Sequence, residues 1–338
     1  MRLYRLFVFV LALGLILSAC GSPAIAVPAT EAIVAAPATE VATDAPAAES
    51  VTLKIAVLPI IDTLPMYVAQ QEGLFEKYGV NVEFVPVASA PERDQLVAAS
   101  QVDGMVNETI STMLFNKDQV QVQAVRYALR PTENAGHFFI IASAKSGITD
   151  AQGLKGVEIG VSQGTVIEYV TDRLLQAEGL TSDEIKTIAV PKIPDRMALL
   201  ASGELNAGVL PDPLGALAVQ QGAVIVLDDS KHPEYGFSVI SFRKEVIDAN
   251  PEAIKGFLAA IEEATALLNS DAAKYTTVLS DQKLVPPPLL ATYKVPPFPT
   301  AGVPTEAEWN DALAWAKGKG MLTADVSYAD SVNATLLP

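Results

Sequence analysis

Residues 70–106 read QQEGLFEKYGVNVEFVPVASAPERDQLVAASQVDGMV, and residues 176–209 read QAEGLTSDEIKTIAVPKIPDRMALLASGELNAGV. The two stretches share a Glu-Gly-Leu helix end, a Val-Pro pair and a triplet of proline, acid and arginine. From that triplet onward they match at a constant offset of 103 residues (91 to 194). This ordered series of matches indicates that one supersecondary unit is used twice.

Each copy has the pattern strand, helix, strand, helix, strand. For the first copy we expect strands at 53–58, 81–87 and 104–107 and helices at 64–78 and 91–100. For the second copy we expect strands at 156–161, 185–190 and 207–210 and helices at 166–178 and 195–202. Such alternation predicts an α/β fold of parallel strands flanked by helices. Because open α/β sheets bind ligands at the carboxyl ends of their strands, two related lobes suggest a cleft between them.

Composition excludes several classes of protein. The chain has 338 residues, 50% of them hydrophobic, and 39 acidic residues against 23 basic ones give a net charge of -16. This charge disfavours nucleic acid as a partner. One cysteine and two distant histidines form neither a disulfide nor a metal pattern, so we expect no metal and no cofactor. An enzyme using Asp62, Glu108 and Asp212 as paired carboxylates is a disfavoured alternative, because no nucleophile–base signature accompanies them.

The N-terminus has the features of an export signal, with two early arginines followed by an apolar run at 6–17. Residues 17–20, Leu-Ser-Ala-Cys, resemble the bacterial lipobox, which implies cleavage after residue 19 and a lipid on Cys20. An ordinary signal peptide with an incidental cysteine is the alternative. Residues 20–50 lack aromatic and basic side chains, and we expect them to form a disordered tether. The domain would then be lipid-anchored at the extracytoplasmic face of the cell membrane.

Three longer segments carry a family resemblance: LKIAVLP with PMYVAQQEGLFEKYGVNVEF in 53–84, AQGLKGVEIGVSQGT at 151–165, and VIDANPEAIKGFLAAIEEA at 246–264. Together with the lipobox and tether, they resemble the periplasmic solute-binding proteins of ABC importers. The branch concerned holds binders of sulfonate, taurine, nitrate and thiamine pyrimidine precursors. The resemblance implies a monomer that closes around a small ligand and delivers it to ABC permease and ATPase subunits.

The same resemblance implies a two-lobe periplasmic-binding-protein fold of type II. The first lobe would comprise 51–140 plus 240–338 and the second 141–239. The chain would cross between them near 138–142 and 236–240. Trp309 and Trp315 lie in an expected final helix and are assigned to packing of the first lobe.

Loops after the repeated strands, with nearby tyrosines, supply the candidate ligand-binding residues. These are Asp62, Thr63, Tyr67, Asn107, Glu108, Thr109, Tyr127, Gly164, Thr165 and Asp212. The free N–H groups at a helix start suit an oxygen of the ligand, although Thr165 also fits a plain helix cap. Asp212 between prolines fits a turn as well as a hydrogen-bond acceptor. The tyrosines suit either a flat ring or core packing, and His137 is interpreted as structural.

This mixture of side chains favours a neutral, flat, hydrogen-bonding ligand. Within the family this implies a heterocyclic vitamin, and the chain looks similar to the riboflavin-binding branch, so riboflavin is the first expectation. A thiamine pyrimidine precursor is an alternative, weakened by the lack of a cysteine-rich motif. The other alternative is a sulfonate, taurine or nitrate anion held by Thr165 and Arg126.

Overall fold

The computed structural model describes residues 51–338 and contains two five-stranded sheets. The expected signal peptide, the lipidated Cys20 and the tether lie outside the described residues and stay predictions. Within 51–338, no helix combines the length and the apolar character needed to span a membrane.

The two sheets have the same architecture. The first contains, in spatial order, β2 (Asn81–Pro86), β1 (Thr52–Val57), β3 (Gly104–Asn107), β10 (Ser238–Arg243) and β4 (Val122–Leu129). The second contains β7 (Lys186–Ala189), β6 (Glu158–Val161), β8 (Ala207–Pro211), β5 (Phe138–Ala142) and β9 (Val224–Asp228). In each sheet the first three strands are parallel and come from one copy of the repeat. The fourth strand runs antiparallel to both of its neighbours. The expected α/β fold with two related halves is confirmed.

Twelve α-helices accompany these sheets among the described residues. They are α1 (Leu64–Gln71), α2 (Leu74–Lys77), α3 (Ala90–Ala98), α4 (Thr109–Asn116), α5 (Val166–Ala177), α6 (Ile193–Ser202), α7 (Leu214–Gln220), α8 (Lys244–Ala249), α9 (Pro251–Ser270), α10 (Thr276–Asp281), α11 (Glu306–Gly318) and α12 (Tyr328–Ser331). The single helix expected at 64–78 is two helices, because Gly73 adopts a left-handed conformation with φ 67° and interrupts it.

The chain passes between the sheets twice, in the loops that join β4 to β5 and β9 to β10. The expected crossings at 138–142 and 236–240 lie a few residues too late. Phe138–Ala142 is already paired along its whole length with β8, and Ser238 already pairs with β4. We call the elements around the first sheet the first lobe and those around the second sheet the second lobe; the residue boundaries proposed from the sequence stay a prediction.

Helix α11, which the sequence predicted as the final helix, joins the two lobes instead of packing only on the first. It contacts α4 of the first lobe, and the indole N–H of Trp309, which is fully buried, donates to the Val326 carbonyl at 3.1 Å. On the other side, the indole N–H of Trp315 donates to Asp172 of α5 at 2.7 Å. The Tyr169 hydroxyl of α5 donates to Asp311 of α11 at 2.6 Å. The assignment of Trp315 to the first lobe was therefore wrong, since its polar edge is bonded to a second-lobe carboxylate.

Candidate functional site

A small cavity lies between the two lobes, at the carboxyl ends of the repeated strands. The space open to the centre of a water molecule is about 50 Å³, several times the roughly 10–15 Å³ that one water needs. The polar residues that line it are Asp62, Arg93, Asn107, Glu108, Ser162, Thr165 and Ser238. The apolar ones are Leu58, Ile60, Ala90, Val106, Phe138, Val166, Ile167, Pro191, Ile193 and Pro211. Both copies of the repeat contribute equivalent loops, as the cleft prediction requires.

Four of the residues predicted from the sequence are brought together at this cavity: Asp62, Asn107, Glu108 and Thr165. The lining of this cavity does not include the other six, which are Thr63, Tyr67, Thr109, Tyr127, Gly164 and Asp212. A direct contact of any of these residues with a ligand stays a prediction.

The predicted tyrosines are engaged elsewhere. The Tyr127 hydroxyl donates to Glu308 at 2.7 Å, and Tyr67 packs edge-on against Phe84 with ring centroids 4.9 Å apart. Asp212 accepts a hydrogen bond from Tyr293 and borders a separate, more open pocket. For Tyr67 and Tyr127, these contacts correspond to the core-packing role that the sequence left open beside stacking on a ligand ring.

Thr63, Thr109 and Gly164 are likewise used in local structure. The Thr63 hydroxyl donates to the Ile60 carbonyl at 2.8 Å, and buried Thr109 begins α4. The Gly164 N–H donates to the Glu168 carboxylate at 2.8 Å.

Arg126, the expected anion ligand of the alternative interpretation, does not line the cavity. Its guanidinium donates to Glu262 of α9 at 2.7 Å and to the Pro299 carbonyl at 2.9 Å. It is fully buried within the first lobe. Its charge is already paired with Glu262, so it is not available to an anion in the cavity.

Asp62 takes part in a buried network at the two crossings. One carboxylate oxygen lies 3.1 Å from Nε2 of His137, and the other accepts from the Ser238 hydroxyl at 2.5 Å. His137 Nδ1 lies 2.6 Å from the Gly236 carbonyl. Although burial favours the neutral ring, the Asp62 carboxylate raises the pKa of His137 to about 9. His137 is thus a cation that joins both crossings to the first lobe, as its structural interpretation requires.

Asn107 and Thr165 have their polar side-chain atoms occupied by the protein. Asn107 donates to the Thr112 hydroxyl at 3.0 Å and accepts from the Ser241 hydroxyl at 2.7 Å. The Thr165 hydroxyl donates to the Ser162 carbonyl at 2.7 Å and caps α5 by accepting from the Ile167 N–H. Thr165 therefore fulfils the helix-cap role that the sequence left open.

Glu108 and Arg93 differ from these residues because each has an unpartnered polar atom at the cavity. One oxygen of Glu108 caps α4 by accepting from the Ser111 N–H at 3.0 Å. Its other oxygen, Oε1, and Nη2 of Arg93 are buried without a hydrogen-bond partner and lie 3.6 Å apart. Burial raises the pKa of Glu108 to about 7.

Arg196, which the sequence argument did not select, lies directly behind the second-lobe wall of the cavity. Its Nη1 donates to the Val190 carbonyl at 2.7 Å and to the hydroxyl of cavity-lining Ser162 at 3.4 Å. Its Nε and Nη2 are buried and unpartnered, and no ion pair to it occurs within residues 51–338. Desolvation lowers its pKa to about 10. The signal was present in the sequence, because Arg93 and Arg196 are the matching arginines of the repeated triplet.

This fold and cleft define a class of two-lobe α/β domains, and comparison with known proteins identifies the family. The chain belongs to the NMT1-like family, whose model matches residues 46–279. A putative aliphatic sulfonates-binding protein of Escherichia coli K12 is 28% identical over 170 residues, 50% of this chain and 53% of that protein. The aligned part thus spans about half the length of that relative.

Solved structures share the fold. The alkanesulfonate-binding protein SsuA from Xanthomonas axonopodis pv. citri, bound to MOPS, superposes with a TM-score of 0.71 at 18% identity, covering 85% of this chain and 99% of that one. The desulfurization enzyme DSZB has a TM-score of 0.64 at 15% identity, covering 84% of this chain and 97% of that one. The expected two-lobe periplasmic-binding-protein fold is therefore confirmed, while the fold alone is found in binding proteins and in an enzyme.

Proposed function

We propose that this protein is the extracytoplasmic substrate-binding component of an ABC importer and that it captures a small molecule bearing an anionic group. The observation that carries the proposal is Arg196, a buried guanidinium beside the cavity between the lobes that has no counter-charge among residues 51–338. A buried charge is costly unless it is paired. A ligand anion in the cavity would supply the missing charge.

Two further features support an anionic ligand. The first turn of α5, including Thr165 and Val166, lines the cavity, and the positive end of a helix dipole favours negative charge there. The relative in Escherichia coli is named for aliphatic sulfonates, and the superposed SsuA for alkanesulfonates.

Riboflavin, the first expectation from the sequence, has no support in the site as it stands. Of the tyrosines expected to stack on its ring, Tyr127 is hydrogen-bonded to Glu308 and Tyr67 packs against Phe84. Riboflavin and the thiamine pyrimidine precursors therefore remain as competing ligands for the binding assay, not as the preferred proposal.

Binding without turnover fits the carboxylates of the site. Of the three acids weighed for catalysis, Asp62 is ion-paired with His137 and Asp212 lies outside the cavity. Because Asp62 is engaged in this way, Glu108 lacks a second free carboxylate in the cavity to share acid–base work. We propose that the lipid anchor on Cys20, monomeric state and delivery to permease and ATPase subunits accompany this role.

A thermal-shift panel on the purified protein tests the proposal. The panel contains ethanesulfonate, taurine, nitrate, riboflavin and a hydroxymethylpyrimidine. A ligand that binds only the folded protein stabilises it by about 2.7 kcal/mol at a hundredfold excess over Kd. We expect a shift with at least one of the sulfonates. A shift with a vitamin alone would refute the anionic ligand class, and catalytic conversion of a bound compound would refute the binding-protein role.

A further inference from the structure

The two copies of the repeat place opposite charges around the same cavity. Arg93 and Arg196 match at the offset of 103 residues, but their neighbours do not. Asp94 of the first copy corresponds to Met197 of the second, and Glu108 corresponds to Pro211. The first arginine therefore has two acidic neighbours where the second has none.

In the first lobe, carboxylates outnumber the guanidinium. Nε of Arg93, whose side chain is 3% exposed, donates to Asp94 at 2.8 Å, so Asp94 already compensates its charge. Glu108, 4% exposed at its side chain, is then a second carboxylate beside a neutralised arginine. Its Oε1 is buried without a hydrogen-bond donor and lies 3.6 Å from Nη2 of Arg93, whose charge it shares with Asp94. An ionised Glu108 leaves an excess negative charge on the first-lobe wall.

In the second lobe, the excess charge is positive. Arg196 has no acidic partner in the described part of the chain, and two of its nitrogens lack hydrogen-bond partners. The N-terminal turn of the twelve-residue helix α5 faces the same space. Both features stabilise an anion on this side.

Resting on the proposed function, we infer that the ligand is dipolar: beside its anionic group it carries a cationic hydrogen-bond donor. The anionic end faces Ser162 and Arg196 of the second lobe, and the donor binds Oε1 of Glu108 in the first lobe. Glu108 is then a specificity-determining residue, because an anion without a donor would leave its Oε1 buried without a hydrogen bond. The small cavity restricts the ligand to a few heavy atoms between the two charges.

Taurine and ethanesulfonate are suitable probes, because they share the sulfonate and the two-carbon chain and differ by the ammonium group. Isothermal titration calorimetry at pH 8, where Glu108 is ionised, measures the affinity of the protein for each probe, and the ratio of the two affinities gives the selectivity. We expect taurine to bind at least tenfold more tightly than ethanesulfonate, which corresponds to about 1.4 kcal/mol. In Glu108→Gln the ratio should fall to within about threefold, mainly by loss of taurine affinity. Glu92→Gln, on the same helix as Arg93 but outside the cavity lining, is the matched control and should keep the ratio.

A second measurement on the unmodified protein covers the case in which Glu108→Gln does not fold. The groups that face Glu108 are Arg93 and Asp94 of α3 and Ser111 of α4. As pH falls from 8 to 6, protonation of Glu108 should reduce the preference for taurine, while ethanesulfonate binding stays constant or improves. Equal binding of both probes, or a ratio unchanged by Glu108→Gln, overturns the dipolar ligand but leaves an anion-binding protein. Binding of neither sulfonate, with a shift for riboflavin, overturns the proposed ligand class as well.

Discussion

The same substitution at the two repeat-related arginines should change stability by very different amounts. Desolvation lowers the pKa of Arg196 to about 10, well below the ordinary value of a guanidinium, and one pKa unit corresponds to about 1.36 kcal/mol. Keeping this guanidinium charged therefore costs about 3 kcal/mol. Arg196→Met removes that cost, but it also removes the hydrogen bond of a charged donor to the Val190 carbonyl at 2.7 Å, worth about 1.5–3 kcal/mol, and a longer one to Ser162 at 3.4 Å. The two contributions nearly cancel, so we expect an unfolding free energy within about 1 kcal/mol of the parent.

Arg93→Met should destabilise the protein instead. It removes the cation that faces Asp94 and Glu108 and leaves the buried Glu108 carboxylate without a counter-charge. Breaking a buried pair on one side costs about 3–5 kcal/mol. Because Glu108 protonates more readily than an exposed acid, the loss should be near the lower end of that range at pH 8.

Urea denaturation of both variants without ligand, followed by calorimetry with ethanesulfonate, checks the pair. Arg196→Met is expected to be about as stable as the parent yet to bind the sulfonate at least tenfold more weakly. If Arg196→Met lowers stability by more than about 1 kcal/mol and retains full affinity, then Arg196 is a structural residue and does not bind a ligand anion.

Three other predictions follow from the buried contacts. His137 has a folded-state pKa of about 9, above its ordinary 6.5. The stability that its ion pair contributes is therefore complete below pH 6.5 and is lost as pH rises through 9. Urea denaturation over this pH range should show a fall of about 3 kcal/mol in the unfolding free energy, and the variant His137→Gln should not show it. Trp315→Phe should lower the unfolding free energy by about 1 kcal/mol, because it removes a hydrogen bond between the lobes. Small-angle scattering of this variant without ligand should give a larger radius of gyration than that of the parent. An unchanged radius would contradict a restraining role for α11. Gly104→Ala should lower the unfolding free energy by about 1–3 kcal/mol, because its Cβ would lie 2.7 Å from the Phe242 ring. In the control Gly318→Ala the added Cβ meets no atom within 4 Å, so thermal denaturation should show a neutral or stabilising effect.

Besides the chain crossings, two polar contacts help to hold the lobes together in the described part of the chain. One is the contact of α11 with α5, which includes the ion pair of Arg173 with Asp311 at 2.8 Å. The other is the hydrogen bond from Tyr293 to Asp212. In each contact the two residues are far apart in sequence, so hydrophobic periodicity could not reveal the contact. Any opening of the cavity to admit a ligand has to separate or carry along these contacts.

The sequence by itself determined the elements that the repeat contains. The three parallel strands of each sheet and the helices between them follow from local patterns, because hydrophobic periodicity and helix-ending glycines act over a few residues. It also placed Asp62, Asn107, Glu108 and Thr165 at the cleft, since strand ends of related units converge there. The antiparallel pairing of the fourth strand of each sheet was not predicted, because that strand enters after a crossing and lies outside the repeat.

Only the tertiary structure decided which polar groups are left for a ligand. Tyr127 was a reasonable candidate until the fold brought Glu308, 181 positions away, within 2.7 Å of its hydroxyl. Arg93 and Arg196 carry the same side chain at matching positions, yet one is surrounded by carboxylates and the other has none. The availability of a side chain depends on its burial and on partners from remote segments, whereas a strand or helix depends mainly on its own residues.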